Sequence, residues 1–137
     1  MTFGSERGTA AIETPLALLL LLVPVALMVI TIPAWPERQT VARAAATQAA
    51  RTAVLADSWD EATAAGEDAV ARSGANYGLP AGDLTVAWEG TLARGGTVTA
   101  RVTVRMPALV VPGLGRIGAW SWTASHSELV DRYRSFG

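Results

Sequence analysis

The sequence contains no cysteine, no lysine and a single histidine, His126. Without cysteine there are no disulfides and no thiolate zinc sites, so a folded domain of this chain holds together by packing alone. Without lysine, a phosphate-binding Walker A lysine and a Schiff-base lysine are both excluded, all eleven basic residues being arginine. One histidine does not make an ordinary multi-histidine metal centre. Charge is also sparse, at 17% of residues and a net −1, so the basic surplus that usually meets a nucleic-acid backbone is missing. These shortages lead to the expectation of no metal, no cofactor and no nucleic-acid partner.

What the chain has in quantity is apolar sequence: half of its 137 residues are hydrophobic, enough for one membrane segment and one small domain of roughly 100 residues. From Pro15 to Trp35 the only polar residue is Thr31. As a helix this run rises about 31 Å, which matches a hydrocarbon core of ~30 Å. It exceeds the ~7–15 residue core of a cleaved secretory signal, so a retained single-pass anchor is expected. Pro24 sits mid-span and is expected to kink it, while Pro33 and Pro36, with Trp35 between them, suit a break at the membrane interface. Arg7 alone precedes the span and Arg38 and Arg43 follow it, so charge does not set the orientation. An N-terminus on the cytoplasmic side, with the folded part outside, is expected because the leading segment is so short.

After the span, residues 37–57 have helical propensity, and Ala42, Ala46, Ala49, Ala53 and Ala56 recur at helical spacing. Such a stripe serves either close approach of another helix in an assembly or an ordinary amphipathic helix packed by Val41, Val54 and Leu55. Ser58-Trp59-Asp60-Glu61 reads as a capping box opening a second helix that stops near Gly74. Beyond the turn-rich stretch 76–83 the period changes to two. Leu84, Val86 and Trp88 alternate with polar or small residues, and Val98, Ala100, Val102, Val104 and Met106 alternate with threonine and arginine. A third strand is expected from about Ala119 to Leu129, with Trp120, Trp122, Ala124 and His126 on one face. The fold class is therefore α+β: a long N-terminal membrane helix continuing into helical segments, then a small three-stranded antiparallel sheet.

Candidate chemistry is thin. Gly113-Leu114-Gly115-Arg116-Ile117-Gly118 satisfies G-x-G-x-x-G, but strand periodicity follows it where a dinucleotide site needs a helix. A glycine-rich connection between strands is the better reading. His126 has Ser125, Ser127, Glu128 and Asp131 nearby, yet neighbours in a strand alternate faces and do not converge as a triad. Asp57, Asp60, Glu61, Glu67 and Asp68 read as solvated helix charges. Trp88, Trp120 and Trp122 serve either a core or a stacking surface. No catalytic residue is assigned, and an enzyme is not expected.

One carboxylate remains to be explained, Glu13, at the lip of the apolar run. Glu13 is the fifth residue after Gly8, separated from it by Thr9, Ala10, Ala11 and Ile12; Gly4 does not share this register, its fifth following residue being Thr9. A glycine, four residues, a glutamate and then some twenty apolar residues resemble the class III signal of type IV pilin precursors. Within that group the chain is similar to the TadE-like pseudopilins, or minor pilins, of the tight-adherence (Tad, type IVc) pilus, of the actinobacterial type. It differs in carrying Glu6 in a leader that is usually basic, and Thr9 where many pilins begin with phenylalanine.

The resemblance implies that a prepilin peptidase cuts between Gly8 and Thr9, that Glu13 is the assembly residue, and that partners are other pilins and the pilus assembly platform. It divides the chain into a leader (1–8), a transmembrane pilin-like helix (9–35), an extracytoplasmic helical segment (36–75) and a sheet region (76–137). The expected function is a non-enzymatic subunit of a pilus or related secretion machine, carried in the cytoplasmic membrane before incorporation into an extracellular pilus. The competing expectation is a membrane-anchored or Sec-secreted binding module that uses a tryptophan-rich sheet face.

Overall fold

The computed structural model describes residues 10–133. Helix α1 runs Ala10–Thr31, α2 Ala34–Ala53 and α3 Trp59–Asn76, followed by strands β1 (Leu84–Gly90), β2 (Thr97–Val111) and β3 (Gly115–Leu129). The fold is α+β, with one apolar N-terminal helix whose length and composition suffice to cross a membrane. α1 and α2 form an almost continuous rod over Glu13–Ala53. The helix continues through Pro15 and Pro24, and the interruption falls at Ile32 and Pro33. Pro33 itself keeps helical angles, φ −62° and ψ −26°, and Ile32 still donates to the Met28 carbonyl at 2.9 Å. Trp35 and Pro36 therefore lie inside the first turn of α2 instead of in a loop, because proline fits the start of a helix where its missing N–H is not needed.

The three strands form an antiparallel sheet in the order β1-β2-β3. Leu84, Val86 and Trp88 face Val104, Val102 and Ala100 on β2, and these pair in turn with Trp122, Ala124 and His126 on β3. α2 lies across β2 and β3 while α3 packs against α2 and β1. Val98, Ala100, Val102, Val104 and Met106 are completely buried. Burying a side chain the size of Val or Met stabilises by about 1.5–3 kcal/mol, so this one strand face supplies much of the core. The opposite face is polar: Thr99 meets Ser127 and Thr103 meets Thr123, each pair at 2.8 Å, and Arg101 bonds Glu89 at 2.9 Å.

Local chemistry sets the helix ends. Ser58 Oγ accepts from the Glu61 amide at 3.2 Å, and the Glu61 carboxylate accepts from the Asp57 amide at 3.0 Å, one residue earlier than in the usual reciprocal box. At the other end of α3, Leu79 N–H reaches the Gly74 carbonyl and Gly78 N–H the Ala75 carbonyl. That pattern is a Schellman cap, and it needs the left-handed conformation that Gly78 adopts at φ +65°. The helix expected to stop near Gly74 thus runs two residues further.

The largest departure from expectation is the hairpin joining β2 and β3. The stretch around Gly113–Gly118 is not a long connection: β2 extends to Val111, β3 begins at Gly115, and only Pro112-Gly113-Leu114 turns between them. Pairing runs Pro107↔Ala119, Leu109↔Ile117, Val110↔Arg116 and Val111↔Gly115. This extra length carries the hairpin beyond the sheet core and alongside the end of α1.

Candidate functional site

Glu13 is the only charged residue in α1; it stands in the first turn and is exposed. At a helix N-terminus a carboxylate is favoured by the unsatisfied amides and the helix dipole, by roughly 0.3–1 kcal/mol. Gly8 and Thr9, the expected processing pair, lie outside the described residues. Beyond Glu13, α1 presents an apolar surface on nearly every side, from Leu20 at 78% exposure to Ile30 at 45%. An all-round apolar helix of this length needs lipid or other helices around it.

Where the rod meets the head, a single helix face is fixed to the backbone of β2. Thr31 Oγ1 accepts from the Val110 amide at 2.9 Å, Trp35 Nε1 donates to the Pro107 carbonyl at 2.9 Å, and Arg38 donates to the Arg105 carbonyl. These helix positions are four and three residues apart, hence on one side of the rod, while their partners step along β2 in the opposite direction. Arg38 also forms a 2.9 Å ion pair with Asp83, with side chains only 7% and 16% exposed. Trp120 from β3 closes the neck with an edge-on contact to Trp35, the ring centroids 6.1 Å apart and the planes at 86°. Sequence reading missed this cluster. Thr31 registered only as the polar exception in the span and Arg38 only as a flanking charge, since their partners lie 45 to 79 residues away.

Other candidates fall into structural places. Ala42, Ala46, Ala49, Ala53 and Ala56 are all buried within the chain, so the stripe lets α2 lie close to its own sheet and to α3. Trp88 and Trp122 are partly buried against the core, and Arg43 stacks on Trp122 at 5.2 Å from the ring centroid. Trp120, at 42% exposure, stands edge-on to Trp35, so the three tryptophans do not present one open stacking plane. His126 Nε2 lies 3.3 Å from Glu128 Oε1, which also accepts from Arg51 at 3.1 Å. Hydrogen bonding from His126 first, and then from Arg51, holds the Glu128 carboxyl below its usual range. Ser125 and Ser127, the strand neighbours of His126, alternate to the other face of the sheet, where Ser127 Oγ lies 2.8 Å from Thr99 Oγ1. Gly113 lies in the hairpin turn, Gly115 and Gly118 lie in β3, and among the described residues no helix follows to receive a pyrophosphate. A half-open cleft of about 450 Å³ between α3 and β1 is lined by Val70, Leu79, Leu84 and Val86, with Glu67 at its edge. Among the described residues no cluster of three or more acidic or histidine side chains is arranged to hold a metal.

Comparison of the chain with protein-family models, with curated proteins and with solved structures returns no match.

Proposed function

We propose that this protein is a pilin-like structural subunit of the TadE-like kind, trimmed after Gly8 by a prepilin peptidase and assembled through Glu13 into a Tad-type pilus or related secretion machine. The observation that carries the reading is the position of Glu13, the one charge in an otherwise apolar, exposed helix that leads directly into a small α+β head. Cleavage would give Thr9 a new ammonium group one helical turn from Glu13. A carboxylate deep in a bilayer costs ~2.5–3.5 kcal/mol, while opposite charges ~4 Å apart attract by about 4 kcal/mol at an effective dielectric near 20. The two magnitudes are comparable, so a poorly solvated Glu13 gains most by pairing with an ammonium, its own or that of a subunit packed beside it. That pairing sets lateral register between helices. The head then lies outside the cytoplasmic membrane and meets other subunits.

Mass spectrometry of the mature N-terminus, combined with recovery of sheared filaments, tests the proposal. Wild type should begin at Thr9, Gly8→Val should keep residues 1–8, and Glu13→Gln should be trimmed yet enter filaments about tenfold less, the effect of ~1.4 kcal/mol. A wild-type chain with Met1 intact in the membrane, or a Glu13→Gln chain recruited as well as wild type, overturns it.

A further inference from the structure

The tip of the β2–β3 hairpin has no role in the head's core, and its composition is unusual for a water-facing turn. Between Pro107 and Trp120 the sequence PALVVPGLGRIGAW carries one charge, Arg116. Leu114 at the turn is 80% exposed and Ile117 is 50% exposed, while Leu109, Val110 and Val111 are only half-covered. The single charge is drawn away from the tip, with Arg116 Nη1 3.7 Å from the Asp83 carboxylate that already holds Arg38. Position is as informative as composition. Since Arg38, Trp35 and Thr31 meet Arg105, Pro107 and Val110 in turn, β2 runs back along the rod towards the start of α1. Val110 is level with Thr31 in the last turn of α1. From Arg105 to Val110 the strand covers ~16 Å while its partners from Arg38 to Thr31 cover ~10 Å of the rod, so β2 crosses at a slant and two further strand residues carry the turn about 4 Å onward along α1. At ~1.5 Å per helical residue this places Leu114 near the level of Met28, beside the apolar body of α1.

We infer that the hairpin tip is a lipid-inserting wedge, which dips into the outer-facing interfacial layer of the same bilayer that α1 spans. The inference rests on α1 being a membrane span and adds a second contact between head and lipid. Counted along the rod from Trp35 to the level of Met28, the tip lies about 10 Å below the interfacial tryptophan, at the deep end of the ~5–10 Å layer in which interfacial amphipathic elements bury their apolar side chains. Trp35 and Trp120, in contact just above the tip, sit where indole rings favour the headgroup region. Arg116, on the strand leaving the tip, points its guanidinium back towards Asp83 and the aqueous side, as long basic side chains do at this boundary. The wedge restrains the head against tilting or spinning about the span, which a single helix by itself would not do.

The absence of cysteine makes a direct test available, because one introduced cysteine is a unique labelling site. The full chain is reconstituted in phosphatidylcholine–phosphatidylglycerol nanodiscs with an environment-sensitive fluorophore at Leu114→Cys, and separately at Ile117→Cys, Ala93→Cys and Leu20→Cys. Ala93 lies in the loop between β1 and β2, at the opposite end of the sheet from the tip. Labels at Leu114 and Ile117 should be quenched by spin-labelled lipid and should be about fivefold less open to aqueous iodide than the label at Ala93. A Leu114 label that behaves like Ala93, while Leu20 is quenched by lipid, overturns the wedge and leaves the span standing. A Leu20 label open to iodide overturns the span and the wedge together. Shielding from both quenchers that disappears at one chain per disc shows the tip covered by a second copy, and also overturns the inference.

Discussion

At the residue scale, the Arg38–Asp83 pair is where charge and architecture are most tightly joined. Arg38 belongs to the start of α2, Asp83 precedes β1, and the Asp83 carbonyl accepts from the Arg105 amide at 2.8 Å. One carboxylate and one guanidinium therefore hold helix, strand entry and β2 together. Removing one partner of a buried ion pair is costly because the other charge is stranded, whereas replacing both with apolar groups is often neutral. Asp83→Asn should lower stability by about 3 kcal/mol, seen in detergent as a drop in Tm of about 10 °C. The double variant Arg38→Met with Asp83→Leu should recover more than half of that loss. An unchanged Tm for Asp83→Asn would show that the pair is too well solvated to matter.

At the element scale, the approach of α3 to β1 is set by Gly66. A Cβ there would come within 2.3 Å of the Trp88 ring, whose Nε1 is buried with no hydrogen-bond partner among the described residues. Helix propensity by itself favours alanine over glycine by ~0.8–1 kcal/mol, but overpacking a core costs ~1–3 kcal/mol. Gly66→Ala should therefore destabilise in urea or thermal unfolding, and the loss should shrink when Trp88 is shortened to Leu. A stabilised Gly66→Ala chain would mean that the ring moves aside freely. Local sequence announces some of these elements and is silent on others. The alternation from Val98 to Met106 identified β2, and Ser58 with Glu61 identified the start of α3, because those signals are periodic or local. The ends of the hairpin were not legible: an apolar, glycine-rich stretch without alternation looks like a connection, and it becomes strand only through pairing with its partner. The neck residues were equally silent, since nothing near Thr31 or Trp35 announces a hydrogen-bond partner on a distant strand. Of the expected site, the structure gives only a position, Glu13 in the first turn of α1, which does not bear on its expected role in assembly, while Gly8 and Thr9 lie outside the described residues.

At the scale of the whole molecule, rod and head meet through a short face, and its hydrogen bonds determine whether they move as one. Apart from the Thr31–Val110 bond, α1 joins the head through the helical break at Ile32–Pro33 and its contacts with β2, while the Trp35–Pro107 bond fixes the start of α2 just beyond that break. Thr31→Val keeps the side-chain shape but leaves the Val110 amide without its acceptor, a loss of about 1–3 kcal/mol if water does not replace it. Trp35→Phe keeps an aromatic ring beside Trp120 but removes the donor to Pro107. Spin labels at Leu21→Cys and Ala93→Cys report the distance between rod and far end of the head by pulsed electron resonance in nanodiscs. The wild-type chain should give a narrow distance distribution, and Thr31→Val combined with Trp35→Phe should broaden it while lowering Tm by about 3–10 °C, the cost of the stranded Val110 amide. If the distribution stays narrow in the double variant, the bonds at the neck are dispensable and the rigidity comes from the continuity of the rod. A broad distribution already in wild type would mean that the head is hinged at Pro33 despite them.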